Sequence, residues 1–285
     1  MQKIKIAFTD FWPEWPMEDF ITPILKKHFE VMVDQSNPDV LFHSIFNRMS
    51  TTPNYRCKKV LILAENWRPK QFGSHYSVSF DPPTETNFRL PLWQMYWLLK
   101  PEFKDRLFNR KRWEEFERFC AFVVSNSSNM LRMNHFDTLN QYKKVHAYGK
   151  VRMNDIGLMK ASQGKYWRDA KDEFFLGHPH KYMMTYENTA YPGYCTEKLM
   201  DAFLVGALPI YWGDPKVEED WNGKAFINAM KHALHYSTKS WLDIIKESGT
   251  FEEMYNEPVF TDEQKSKHLA NIEEFENWLI NVVKS

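Results

Sequence analysis

Two stretches of this sequence bring together residues that could hold a charged ligand. The first is Tyr186-Glu187-Asn188-Thr189, followed by Tyr194-Cys195-Thr196-Glu197-Lys198 and an apolar run. A strand is predicted to end near Tyr186, and a loop with Pro192 and Gly193 follows. Thr196 is a good helix N-cap, and Leu199, Met200, Phe203 and Leu204 give the next helix an apolar face. Gly206 is placed to end that helix. A strand, a loop and a helix amino end form an anion site, because free backbone N–H groups and the helix dipole point at the ligand. Lys198 in the first turn opposes the dipole, and a bound phosphate would account for it. A plain turn with a solvated lysine is the competing reading. Glu197 suits the dipole with or without a ligand.

The second stretch is the strand ending at Val124, followed by Ser125-Asn126-Ser127-Ser128, a run of N-cap residue types. Arg132 comes early in the predicted helix that carries Leu131, Phe136 and Leu139, where a guanidinium can grip a phosphate through two parallel bonds. An exposed helical arginine is the commoner alternative. The chain has no Asp-x-Asp triplet, no G-x-G-x-x-G fingerprint, no Walker loop and no His-Glu-x-x-His pair. Charge on a bound diphosphate would then be met by Lys and Arg.

The elements that must position these residues alternate between strand and helix. Residues 3–8, 39–42, 59–63 and 76–80 read as strands, with helical spacing over 21–29. Residues 87–100 read as aromatic-rich and irregular, and 110–119 as a charged helix. A second series starts with a strand over 120–124 and continues with strands over 183–186, 208–211 and 226–227. A final amphipathic helix opens with Thr261 and Gln264 in a capping box and carries Leu269, Ile272, Phe275, Leu279 and Val282. The expected fold is therefore α/β, with two Rossmann-like domains facing across a cleft. The expected boundaries are 1–115, 116–262, and a helix over 263–285 that packs back on the protein.

Composition narrows the function classes. The 285 residues carry 37 basic and 37 acidic side chains, a balance that disfavours wholesale nucleic-acid binding, which needs a basic field. No run reaches the length of a membrane span, and the first nine residues read as a strand rather than a signal peptide. Cys57, Cys120 and Cys195 match no zinc spacing and are expected to be buried free thiols. Together these predict a cytosolic protein, at most peripheral to an inner membrane.

The ordered motifs also resemble a known family. Tyr186-Glu187-Asn188-Thr189, Gly193 to Leu199, Pro209-Ile210-Tyr211-Trp212-Gly213, Asp220-Trp221 and Phe226-Ile227-Asn228 resemble the signature of the α-1,3/4-fucosyltransferases, glycosyltransferase family 10. Phe119 to Asn126, Arg132, Tyr148-Gly149-Lys150 and Asn154 extend the likeness upstream. Phe11-Trp12, the stretch 59–66 and Arg89-Leu90-Pro91-Leu92 resemble the bacterial type more weakly. The resemblance implies a GT-B fold and GDP-β-L-fucose as donor. The acceptor would be a lactose- or N-acetyllactosamine-type glycan, fucosylated with inversion. It implies that Arg132 and Lys198 hold the diphosphate, that Asn188, Tyr194 and Glu197 contact nucleotide or fucose, and that Glu65 is the general base. No metal would be required, a divalent ion being at most stimulatory. Two alternatives stay open: a GT-B enzyme using another GDP-hexose, and a catalytically idle glycan-binding protein. From the residues alone, Glu65 reads equally well as a strand-end acid in a solvated turn.

Overall fold

The structure, a computed structural model, describes residues 1–13, 15–233 and 240–285. The chain divides into two compact units, 1–101 with 265–285, and 102–264. In the first, β1 (Gln2–Thr9), α1 (Met17–Lys26), β2 (Phe29–Val33), β3 (Val40–His43), β4 (Lys58–Ile62), β5 (Tyr76–Ser79), β6 (Asn87–Arg89) and α2 (Leu92–Leu99) follow in order. The strands form one parallel sheet in the order β2-β1-β3-β4-β5-β6. All four residues of β3 are buried, as expected of a strand covered on both faces.

The second unit continues with α3 (Pro101–Phe108), β7 (Arg118–Phe122), α4 (Met130–Tyr142), β8 (Val145–Ala147), α5 (Gly157–Ala161), α6 (Trp167–Gly177), β9 (His180–Tyr186), α7 (Glu197–Leu204), β10 (Leu208–Trp212) and β11 (Ile227–Asn228). The short α8 (Ala229–Ala233), α9 (Trp241–Lys246) and α10 (Thr250–Asn256) come next, and α11 (Asp262–Lys284) closes the chain. Its five strands are also parallel, in the order β11-β10-β9-β7-β8. Strand order reverses between β7 and β9. Their carboxyl ends are therefore the topological switch point, where open α/β sheets bind ligands.

Several expectations need correction. Residues 110–119 are not helical: the helix is α3, before them, and β7 begins at Arg118. The charges of this stretch are used differently. Arg110 is buried, donates to the carbonyls of Ala207 (2.9 Å) and Tyr255 (3.3 Å), and lies over the Phe203 and Tyr255 rings. Trp113 donates from its indole to the Val205 carbonyl at 2.8 Å. The stretch is a strap that satisfies carbonyls around the end of α7. Residues 87–100 are regular, forming β6 and α2, with Trp93, Met95 and Trp97 buried. Cys57 is only partly buried, whereas Cys120 and Cys195 are buried free thiols. The unit boundary falls after Pro101 rather than Glu115, and α11 from Lys265 onward belongs to the first unit. The capping box of α11 forms in both directions, from Thr261 N to Gln264 Oε1 (3.0 Å) and from Gln264 N to Thr261 Oγ1 (3.2 Å). Phe275, Leu279 and Val282 of α11 join the core of the first unit, while Leu269 is exposed.

Candidate functional site

The site is built at the carboxyl ends of β7 and β9 and the amino end of α7. Asn129 caps α4, accepting the Arg132 amide at 3.0 Å, and its own amide donates to the Glu187 carbonyl at 3.1 Å. One side chain thus ties the start of α4 to the end of β9. Arg132, in the first turn of α4, is 1% exposed. Its guanidinium donates to the Tyr186 carbonyl (3.1 Å), the Asn188 side-chain oxygen (3.1 Å) and the Asn126 carbonyl. All three acceptors are neutral. Its Nε–H has no acceptor among the described residues. Burial pulls its pKa down, and the nearby Glu187 carboxylate counters this. A buried cation held only by neutral oxygens is costly unless an anion completes it.

Glu187 directly follows β9 and continues its ladder, with its amide donating to the Trp212 carbonyl at 2.8 Å. Its side chain is fully buried. The carboxylate accepts the Thr196 amide (2.7 Å) and the Thr196 hydroxyl (2.7 Å), and pairs with the Lys198 ammonium at 3.1 Å. Lys198 also donates to the Thr196 hydroxyl oxygen at 2.8 Å and lies 3.4 Å from Glu197. Burial opposes the charge on Lys198, but Glu187 and Glu197 outweigh it and raise its pKa well above the usual range, so the side chain stays charged. Burial likewise opposes ionisation of Glu197. Lys198, Lys171 and Arg168 outweigh that too and hold it at about 2.

Two glycines fit this packing. A Cβ on Gly213 would sit 2.4 Å from Glu187 Cγ, so any side chain there displaces the carboxylate. A Cβ on Gly149 would sit 2.1 Å from the Val124 carbonyl oxygen, at the end of β7. Asp214 pins the loop before α7 by accepting the Gly193 amide at 2.8 Å, and Gly193 takes φ +84°. Asn154 completes the edge strand β8, accepting from Ala147 N and donating to the Val145 carbonyl, both at 2.9 Å.

The structure brings Arg132 and Asn188 into direct contact and places Glu197 and Lys198 side by side in the first turn of α7. Asn188, Glu197 and Lys198 are half-buried. Tyr194 is 2% exposed. Glu65 lies in the other unit, in the turn three residues beyond β4, and is half-buried. Thr196 occupies the N-cap of α7 as expected, but its side chain makes no cap bond: its hydroxyl donates to Glu187 and its oxygen accepts from Lys198. Sequence reasoning assigned no role to Glu187, Asn129 or Asp214. A signal existed for the first two. An acid directly continuing a buried strand needs a partner. Asn129 extends the run of cap residues and stands three before Arg132, the spacing of an N-cap bond. Nothing local singled out Asp214.

The architecture has solved counterparts. A crystal structure described as alpha1,3-fucosyltransferase with GDP-fucose superposes with TM-score 0.67 at 22% identity, covering 96% of this chain and 90% of that one. A second, with GDP, gives TM-score 0.67 at 21% identity. The protein is thus a two-domain α/β chain of the GT-B-like class. Residues 113–260 match the family described as glycosyltransferase family 10 (fucosyltransferase) C-term. Residues 6–96 match the alpha-(1,3)-fucosyltransferase FucT N-terminal domain. The chain belongs to glycosyltransferase family 10. The Helicobacter pylori alpha-(1,3)-fucosyltransferase FucT is 27% identical over an alignment of 299 positions, gaps included, that covers 86% of this chain and 60% of that protein. The human 4-galactosyl-N-acetylglucosaminide 3-alpha-L-fucosyltransferase 9 is 26% identical over 127 residues, 44% of this chain and 32% of that one. The chain therefore spans about 60% of the length of its Helicobacter relative. Among the described residues no helix is long and apolar enough to cross a membrane.

Proposed function

We propose that this chain is an inverting α-1,3(/4)-fucosyltransferase. It moves L-fucose from GDP-β-L-fucose to a GlcNAc or Glc hydroxyl of a lactose- or N-acetyllactosamine-type glycan, giving a Lewis-type product. The observation that carries the reading is Arg132, a buried guanidinium with only neutral acceptors around the end of β9, together with the charged Lys198 in the first turn of α7, paired with Glu187 at that same strand end. Such a pair suits a diphosphate leaving group, whose negative charge grows in the transition state. Inversion needs a base on the opposite face of the sugar carbon, and Glu65 fills that role by taking the acceptor hydroxyl proton. Glu197, ionised at any physiological pH, faces the positive character of an oxocarbenium-like fucosyl ring or binds its hydroxyls. Asn188 and Tyr194 complete the donor site. On this reading no metal is required and a divalent ion at most raises the rate. The enzyme works in the cytosol or at the inner face of a membrane.

The test is GDP release on mixing the chain with GDP-fucose and N-acetyllactosamine in EDTA, with linkage analysis of the product. The expected result is turnover and an α-linked fucose on the GlcNAc unit. Turnover with GDP-mannose but not GDP-fucose would overturn the donor. Glu65→Gln should lower turnover by at least about 100-fold while GDP-fucose affinity holds. A variant transferring near the wild-type rate would remove Glu65 as the base.

A further inference from the structure

The anion site is held by a group that no donor needs to touch. We infer that Glu187 is a positioning residue for donor turnover: its carboxylate fixes the Lys198 ammonium and, by taking the Thr196 hydroxyl proton, orients that oxygen to accept from Lys198 rather than from the first-turn amides, leaving the amino end of α7 free of a side-chain cap for the diphosphate. The inference rests on the reading that the donor's diphosphate binds there.

Four observations converge on Glu187. It is fully buried and continues β9 through its bond to Trp212, so its backbone cannot drift. The absence of a side chain at Gly213 leaves the space that the Glu187 side chain fills, since a Cβ there would sit 2.4 Å from Glu187 Cγ. In that space the carboxylate takes both the amide and the hydroxyl of Thr196 and the charge of Lys198. Thr196, which in most helices would turn its hydroxyl onto the first-turn amides, makes no cap bond.

The arrangement is poorly explained as a stabilising device. A buried carboxylate–ammonium pair gains little net stability over apolar residues of the same volume, and the threonine forgoes its cap. It makes sense as alignment. The ammonium carries three protons and meets Thr196, Glu187 and Glu197 oxygens at 2.8, 3.1 and 3.4 Å. A lysine on a flexible stem is thereby held to one orientation in the first turn of α7, where a phosphate oxygen can replace the longest contact without moving the helix. Asn129 links the same residue, through its carbonyl, to the helix that carries Arg132. Glu187 thus sets both cations from one place.

The experiment is a double-mutant cycle in the full chain: wild type, Glu187→Gln, Lys198→Ala and the double variant. Turnover, KM for each substrate and thermal midpoint are measured for all four. Glu187→Gln is expected to lower kcat by about 10- to 100-fold with the acceptor KM unchanged. In the Lys198→Ala background the same substitution is expected to change kcat by less than about twofold, because the residue acts through Lys198. Effects that multiply across the cycle would overturn the inference, as would a Glu187→Gln variant of lowered thermal midpoint but wild-type kcat. If Glu187→Gln does not fold, Thr196→Val asks the same question. It removes the hydroxyl bridge without removing a cap, so it too should lose turnover only when Lys198 is present. A wild type that neither binds nor consumes GDP-fucose sinks the donor reading and this inference with it. A wild type that turns over with a multiplicative cycle sinks only the inference.

Discussion

At the scale of single residues, the site depends on how each cation is partnered. Arg132 reaches the loop after β7, the end of β9 and the Asn188 side chain through one planar fork. A lysine cannot span three such acceptors. Arg132→Lys should therefore lower turnover by at least about 10-fold and weaken GDP binding alongside it. Calorimetry of GDP with the variant checks this, and an unchanged affinity would argue against contact with the nucleotide. Sequence made Arg132 and Lys198 visible because a cap cluster and a dipole-opposing charge are local signals. It left Arg132 open as an exposed arginine, since its burial comes from β9 and Asn188, more than fifty positions away. Glu187 stayed without a role for the same reason. Its partners come from α7, and the space it fills is bounded by Gly213, so neither was readable beside it.

At the scale of elements, the parallel strands were readable because strands buried on both faces are continuously apolar. The strap over 110–117 was misread because charged residues at helical spacing normally mark a solvated helix. Here Arg110 and Arg112 reach carbonyls at the ends of α7 and α10 instead. Around β7 and β9 the contacts predict a pH dependence. Arg118 donates to the Tyr148 hydroxyl, and that hydroxyl meets His180 Nε2 at 2.9 Å. The opposite His180 nitrogen donates to the His178 carbonyl at 2.6 Å. Burial, helped by Arg118 and His146, pulls the His180 pKa from 6.5 to about 4, against the His178 bond. The fold prefers the neutral ring, so its contribution is full above about pH 6.5 and is lost as pH falls toward 4. Between pH 7 and pH 5 that loss should be on the order of 2 kcal/mol. Urea unfolding at both pH values checks it: the drop should shrink by that amount in His180→Gln. An equal drop in both proteins would place the titration elsewhere, with His43, His135 and His146 shifted in the same direction.

At the scale of the whole molecule, the chain returns from its second unit to finish the first. Phe275 of α11 is fully buried against Phe20, rings stacked at 5.8 Å, and against Phe88. The periodicity of the last helix was readable in the sequence. The unit it completes was not, because an apolar stripe carries no address. Phe275→Ala should cost about 3–5 kcal/mol and act on the first unit. Hydrogen exchange should show the loss of protection in β1, β3 and α1, with β7 and β9 unchanged. Two α/β units, one of them closed by the final helix, are the frame for a single chemical claim: the donor's diphosphate is held at the start of α7. The most direct measurement is the affinity of GDP-fucose, by calorimetry, for wild type and Lys198→Ala. The account predicts binding by the wild type and at least about a tenfold loss in the variant. Equal affinity in the two proteins would contradict it.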